Sequence, residues 1–148
     1  MKKTLPALLF MLFAFSLSTF AQYGKLNHVA VYVNNLKKST TFYKDILKLE
    51  QIAEPFHDNK HSWFKVAEHS QLHLIEGAKE ITEHQKDSHL CFSVASMDSV
   101  ITKLHQLQIP FSSWTGEKDK VTIRPDGVKQ IYFQDPDNYW IEINDDKY

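Results

Sequence analysis

The sequence predicts an α+β fold in which two βαβββ repeats form a curved mixed sheet with helices on its outer face. A histidine opens an alternating apolar run at residues 28–36, and a second histidine opens a similar run at residues 89–97, 61 positions later. A helix-like segment follows each run, and several short strand-like runs follow each helix. A segment order that occurs twice in one chain indicates a duplicated unit, and this mixture of elements indicates the α+β class.

The first repeat covers about residues 26–76. Residues 26–33 alternate between aliphatic and other side chains, which predicts a half-buried strand. Asn35 then offers an N-cap for a helix over residues 36–47, where apolar side chains recur at helical spacing. The remaining strands of this repeat are expected at residues 49–54, 62–67 and 71–75.

The second repeat covers about residues 88–144 and follows a polar linker at residues 77–87. Ser96 offers an N-cap for a helix over residues 98–107. Strands are expected at residues 89–94, 110–114, 128–133 and 139–143, and the loop between the second and third has room for an extra strand at 121–124. The last two strands form a predicted hairpin around the turn sequence Asp135-Pro-Asp-Asn138.

The N-terminus has the features of a secretory signal peptide at residues 1–21. Two lysines precede an apolar core at residues 8–15, and Thr19-Phe20-Ala21 provides small residues for cleavage. A membrane anchor is the alternative, but the apolar run is shorter than the roughly 20 residues that a span requires. We therefore expect an exported domain of residues 22–148, periplasmic or secreted, without stable membrane association after cleavage.

Charge and cysteine content exclude several classes of protein. Loss of the two signal-peptide lysines takes the formal net charge from −1 to −3, and Arg124 is the only arginine. Without a basic stripe, nucleic-acid binding has no electrostatic support. Cys91 is the only cysteine, so no disulfide can form within the chain.

Strand parity places residues of metal-ligand type on one face. Alternate side chains of a strand point to opposite faces, and in four predicted strands the aliphatic residues share one parity. The other parity carries three histidines and one carboxylate. These are His28 and His89 on the first strands of the repeats, and His73 and Glu142 on the last.

The duplicated placement predicts one metal site between the repeats, because each repeat contributes one ligand from its first strand and one from its last. Nitrogen and oxygen donors are compatible with divalent zinc, nickel, manganese, cobalt or iron, and the pattern does not select among them. The other histidines lie in polar loops or on a helix and are assigned no role: His57, His61, His69, His84 and His105.

Three segments resemble the vicinal oxygen chelate superfamily, which includes glyoxalase I, fosfomycin-resistance proteins, extradiol dioxygenases and bleomycin-resistance proteins. They are Leu26-Asn-His-Val-Ala-Val-Tyr-Val33, the helix with Ser39 and Phe42-Tyr43, and Ile131-Tyr-Phe-Gln-Asp-Pro-Asp-Asn-Tyr-Trp-Ile-Glu142. The resemblance covers essentially all of residues 22–148. Its strand–Asp-Pro-Asp–strand–Glu signature is specific for the fold and much less so for the reaction.

The resemblance implies that His28, His89 and Glu142 form the ligand triad of fosfomycin-resistance enzymes and dioxygenases. His73 matches the position where glyoxalase I supplies a fourth ligand, there a glutamate. Two departures limit the choice of subfamily. Tyr32 stands where similar glyoxalases have a glutathione-binding arginine, and Ala30 replaces a threonine of the fosfomycin-resistance pocket.

For function, the resemblance implies a metal-dependent lyase or isomerase that acts on a small substrate with adjacent oxygens. Glu142 would be the catalytic base, and Tyr32 and Trp140 would bind the substrate. The alternatives are an extradiol-type dioxygenase and a non-catalytic protein that sequesters a small molecule. The resemblance also implies a homodimer, because family members often build the site from units of different chains.

Overall fold

The computed structural model describes residues 24–147, so the predicted signal peptide at residues 1–21 lies outside the described part of the chain. The elements within that part follow the expected order. They are β1 His28–Val33, α1 Leu36–Ile46, β2 Glu50–Ile52, β3 His61–Ala67, β4 Ser70–Glu76, β5 His89–Ser93, α2 Met97–Gln106, β6 Thr122–Ile123, β7 Lys129–Gln134 and β8 Trp140–Asn144.

Each repeat builds its own four-stranded open sheet, and the two sheets share one topology. The strand order is β1-β4-β3-β2 in the first sheet and β5-β8-β7-β6 in the second. The first and last strands of each repeat pair in parallel, and the other neighbours pair antiparallel. The predicted α+β class and the repeated βαβββ order are therefore confirmed.

One predicted strand is wrong. In place of the strand expected at residues 110–114, only Ser112 forms isolated bridges, to Lys118 and to Tyr132. Pro110 has no N–H to donate to a ladder, and a turn begins at Trp114. The matching position in the sheet is taken by β6, within the segment where the loop had room for an extra strand.

Both helices begin at the predicted N-caps. Asn35 Oδ1 accepts the N–H of Lys38 at 2.9 Å, and Ser96 Oγ accepts the N–H of Ser99 at 3.2 Å. These bonds satisfy N–H groups that the first helical turn leaves free. The buried residues of α1 are Ser39, Tyr43 and Ile46.

The turn between β7 and β8 joins the second repeat to the helix of the first. Asp137 accepts hydrogen bonds from the Ser39 hydroxyl at 2.7 Å and from the N–H of Asn34 at 2.6 Å. Asp135 accepts the Tyr43 hydroxyl at 2.8 Å. Both carboxylates are buried, so the Asp-Pro-Asp sequence has a structural role. Its hydrogen bonds to Asn34 and to helix α1 connect the two repeats, and we call this connection the interlock.

The strand faces sort as the parity predicts. On β1, Val31 and Val33 are buried in the apolar core, whereas His28, Ala30 and Tyr32 are exposed on the opposite face. The helices cover the aliphatic side, and the ligand-type side remains available for a site. No helix of residues 24–147 is both long and apolar enough to cross a membrane.

Candidate metal centre

His89 and Glu142 meet on the second sheet. β5 and β8 are parallel neighbours with Cys91 opposite Glu142, and His89 lies two residues before Cys91 on the same face. His89 Nε2 is 3.1 Å from Glu142 Oε2. Because Glu142 is only 5% exposed and His89 is half-buried, the pair is set into the sheet.

Four side chains hold the Glu142 carboxylate through hydrogen bonds. The donors are Gln130 Nε2 at 2.6 Å, Tyr132 Oη at 2.7 Å, Asn144 Nδ2 at 3.1 Å and Cys91 Sγ at 3.2 Å. Burial alone would raise the pKa of Glu142, but these bonds outweigh it and hold the pKa below the ordinary value of 4.5. The carboxylate is therefore ionised at neutral pH and available as an oxygen ligand.

A backbone carbonyl fixes the orientation of His89. His89 Nδ1 lies 2.7 Å from the carbonyl oxygen of Lys86, which can only accept, so Nδ1 carries the proton. A neutral ring then turns the lone pair of Nε2 toward Glu142, and two acceptors at 3.1 Å require a cation between them. That cation is either a proton on Nε2 or a metal ion.

The donor chemistry of the pair fits a divalent transition metal. Imidazole nitrogen and carboxylate oxygen are ligands of such ions. Histidines that bind metals usually donate their second ring N–H to a carbonyl or carboxylate, and ligating carboxylates are themselves hydrogen-bonded. His89 and Glu142 show both features.

His28 and His73 form a second pair, on the first sheet. Their rings stack with centroids 4.3 Å apart and planes 9° apart, and Trp63 stacks on His73 at 3.9 Å and 1°. An imidazole binds a metal in the plane of its ring, so these nearly parallel rings present their nitrogens side by side and do not converge on one ion. His73 Nε2 also contacts Gln71 Oε1 at 2.8 Å.

The two pairs do not form one cluster within a single chain. Among residues 24–147, only one group of three or more His, Cys, Asp or Glu side chains has its donor atoms within 4.8 Å of one another, and it contains none of the four predicted ligands. The pairs His28–His73 and His89–Glu142 therefore lie as two half-sites, one on each sheet.

The group that does meet this distance criterion is Glu54, Asp58 and His61. Its carboxylates are already engaged locally. Glu54 accepts the N–H groups of Phe56 and His57, and Asp58 contacts His61 Nδ1 at 2.9 Å. The three donors can serve a metal ion, but their present bonds account for the shape of the loop between β2 and β3.

The two aromatic residues predicted to bind substrate lie on the same strands as the ligands. Tyr32, on β1, is 53% exposed. Its hydroxyl would lie 2.5 Å from a Cβ added at Gly77, and the φ of 152° at Gly77 is one that residues with a side chain rarely adopt. Trp140, on β8, is half-buried, and its Nε1 donates to the carbonyl of His84 at 3.0 Å. Tyr32 is accessible to a ligand, whereas Trp140 is held by the linker.

Sequence reasoning missed the residues that support Glu142. The antiparallel register of β7 and β8 places Tyr132 opposite Glu142 and Gln130 opposite Asn144. The predicted hairpin could have identified both residues, since the turn fixes which residues of the two strands lie opposite each other. No comparable signal marked Lys86, whose carbonyl orients His89.

Comparison with known proteins agrees with this fold. The family model of the Glyoxalase/Bleomycin resistance protein/Dioxygenase superfamily matches residues 25–143. The chain therefore belongs to this superfamily, as the resemblance to vicinal oxygen chelate proteins indicated.

Relatives within the superfamily have different activities. The chain is similar to Glyoxylase I 4 of Arabidopsis thaliana, with 28% identity over 124 residues that cover 80% of this chain and 68% of that protein. It is also similar to the fosfomycin resistance protein FosX of Listeria monocytogenes, with 26% identity over 125 residues, 80% of this chain and 87% of FosX. The solved structure of Oxidase ChaP-H2 shares the fold, with a TM-score of 0.71, 21% identity and coverage of 86% and 97% of the two chains.

Proposed function

We propose that the protein is an exported, metal-dependent, glyoxalase-like enzyme with lyase or isomerase chemistry on a small substrate that bears adjacent oxygens. The observation that carries this proposal is the His89–Glu142 pair, in which two acceptors face each other at 3.1 Å on a strand face. The superfamily membership supports the general kind of protein.

In this proposal His89, Glu142 and His28 hold one divalent transition metal, with His73 as a weaker candidate. A bound metal would act as a Lewis acid toward two adjacent substrate oxygens. Glu142 Oε2 would accept a proton from the carbon next to the substrate carbonyl and return it to the substrate. The lowered pKa of Glu142 keeps this carboxylate unprotonated at neutral pH. Tyr32 and Trp140 would contact the substrate.

A second copy of the chain would complete the site. The half-sites lie on separate sheets, so His28 of one copy would join His89 and Glu142 of another. Large apolar side chains remain exposed on or near the ligand-bearing faces, among them Tyr32, Phe56 and Trp114, at 53%, 59% and 43%. Contact between two copies would cover such groups, and exchange of equivalent units is a low-cost route to a symmetric dimer.

A dioxygenase is the second candidate, and the stacking of His73 favours it. If His73 remains between Trp63 and His28, two histidines and one carboxylate are left for the metal. That set is the facial arrangement suited to Fe(II) and dioxygen. Sequestration of a small molecule without turnover is the third candidate.

Three measurements on reconstituted protein separate these functions. Lyase or isomerase chemistry predicts exchange of the carbon-bound hydrogen of an α-hydroxyketone with deuterium from D₂O, and loss of that exchange in Glu142→Gln. A dioxygenase predicts oxygen uptake with Fe(II) and a catechol. Retention of a small molecule with neither reaction would support sequestration and contradict the enzymatic proposal.

Export has its own test. The signal sequence predicts that protein recovered from the periplasm or medium has the intact mass of a chain beginning at Gln22. A full-length product retained in the membrane would contradict it.

A further inference from the structure

Both the side-chain ammonium and the backbone carbonyl of Lys86 form hydrogen bonds. Its ammonium donates to the carbonyl oxygens of Ser113 at 2.7 Å and Trp114 at 3.1 Å, and to Ser112 Oγ at 3.3 Å. Since an ammonium has three N–H donors, these acceptors saturate it. The backbone carbonyl of Lys86 accepts His89 Nδ1 at 2.7 Å.

Three aromatic rings surround the same ammonium. Nζ lies 4.8 Å from the ring centroid of Tyr132, 4.9 Å from that of Trp140 and 5.8 Å from that of Trp114. Each distance is within the range of a cation–π contact. With every donor engaged, the Lys86 amine has no role as a free base or nucleophile, and the contacts fix its position instead.

These contacts belong to a closed chain of contacts that includes the His89–Glu142 pair. Ser112, whose hydroxyl accepts from the ammonium, exchanges two backbone hydrogen bonds with Tyr132, each of 2.9 Å. The Tyr132 hydroxyl donates to Glu142, and Glu142 faces His89. His89 Nδ1 donates to the carbonyl of Lys86, which closes the chain of contacts. Displacement of the lysine would therefore disturb the support of both ligands.

We propose that Lys86 is a positioning residue: its anchored backbone carbonyl accepts the Nδ1–H of His89 and so directs Nε2 toward Glu142 and the metal position. This inference rests on the proposed function, because it concerns the same ligand pair. Without the anchored carbonyl, the His89 ring loses the bond that fixes its orientation, and Nε2 is no longer held toward the metal position.

Long-range ¹H–¹⁵N NMR of metal-free protein tests the proposal directly, because an N–H that donates to an anchored carbonyl exchanges slowly with water. Wild type should show a His89 Nδ1–H signal that is protected from exchange. Lys86→Met, which keeps apolar contact with the rings but has no side-chain charge or N–H, should lose that protection. Lys86→Arg, which keeps the charge, should restore it in part, and Lys44→Met, an exposed control on α1, should match wild type.

Equal protection of the His89 Nδ1–H signal in Lys86→Met and wild type would overturn the proposal. If the methionine variant does not fold, Lys86→Gln provides the same comparison with the same deciding outcomes. Zinc affinity should fall about tenfold to a hundredfold in the variant, as is typical when outer support of a metal ligand is lost. Absence of zinc binding in wild type would contradict the proposed function, whereas the exchange comparison would still decide the role of Lys86.

Discussion

At the scale of single residues, Glu142 shows how a buried carboxylate stays ionised. Burial penalises the charged form, and hydrogen bonds from four neighbouring side chains compensate for it. Three of those donors come from β8 itself and from its neighbour β7. A ligand held in this way needs little rearrangement when it binds a metal, because its orientation is already fixed.

Tyr132→Phe should lower the free energy of unfolding by about 1.5–3 kcal/mol at pH 7, since it removes a buried hydrogen bond to a charged group. Urea unfolding measures this loss. Tyr139→Phe is the matched control, because its hydroxyl makes only a 3.4 Å contact with the carbonyl of Tyr32. Equal stability of the two variants would contradict the assigned support of Glu142.

At the scale of elements, the interlock between α1 and the β7–β8 turn explains the Asp-Pro-Asp sequence in physical terms. The Asp135 and Asp137 carboxylates occupy the acceptor positions that helix α1 and its N-terminal turn require. This turn also fixes the register that brings Tyr132 to Glu142. One short segment thus joins the repeats and aligns the candidate metal centre.

Asp135 gives the interlock a pH dependence. Burial raises its pKa above the ordinary 3.8, although hydrogen bonds from Tyr43 and two backbone N–H groups oppose this. A raised folded-state pKa means that the contribution of Asp135 to stability is present at low pH and declines as pH rises from 3.8 through the folded value.

Asp135→Asn removes that titration, so the stability of wild type relative to the variant should decrease as pH rises through this window and then become constant. Urea unfolding of both proteins between about pH 4 and pH 8 measures the difference, and subtraction cancels the other carboxylates that they share. A difference that increases with pH would contradict the assignment.

The elements also show what the sequence could and could not predict. Period-two alternation identified the buried face of β1 and the ligand parity, because parity depends only on local geometry. The strand expected at residues 110–114 failed because Pro110 and the turn at Trp114 prevent a ladder. Lys86 was not recognised, since its role depends on contacts with Ser113 and Trp114, which are distant in sequence.

At the scale of the whole molecule, the duplicated fold divides the predicted ligands between two sheets. The sequence predicted which residues share a face, but it could not predict whether the faces meet within one chain. The separation of the half-sites leads to the dimer proposed above, in which each site combines residues of two copies.

Mixing of two variant chains tests the shared site. His28→Ala and Glu142→Ala should each bind little metal alone. In mixed dimers, one site would combine His89 and Glu142 of the first variant with His28 of the second, and random assortment should restore about a quarter of the wild-type sites. Absence of restoration in dimers shown by sedimentation to be mixed would contradict a shared site.

The most direct test of the central claim is a zinc titration of metal-free protein, repeated with nickel, manganese, cobalt and iron. We expect one ion per site in wild type, with an affinity that falls as pH drops through the histidine range near ~6.5. Glu142→Ala should lose about a hundredfold or more in affinity, at least the loss typical of outer-shell substitutions, whereas the exposed control His57→Ala should bind as wild type does. Binding of none of the five metals, or equal retention by the two variants, would contradict the metal centre and favour sequestration of a small molecule.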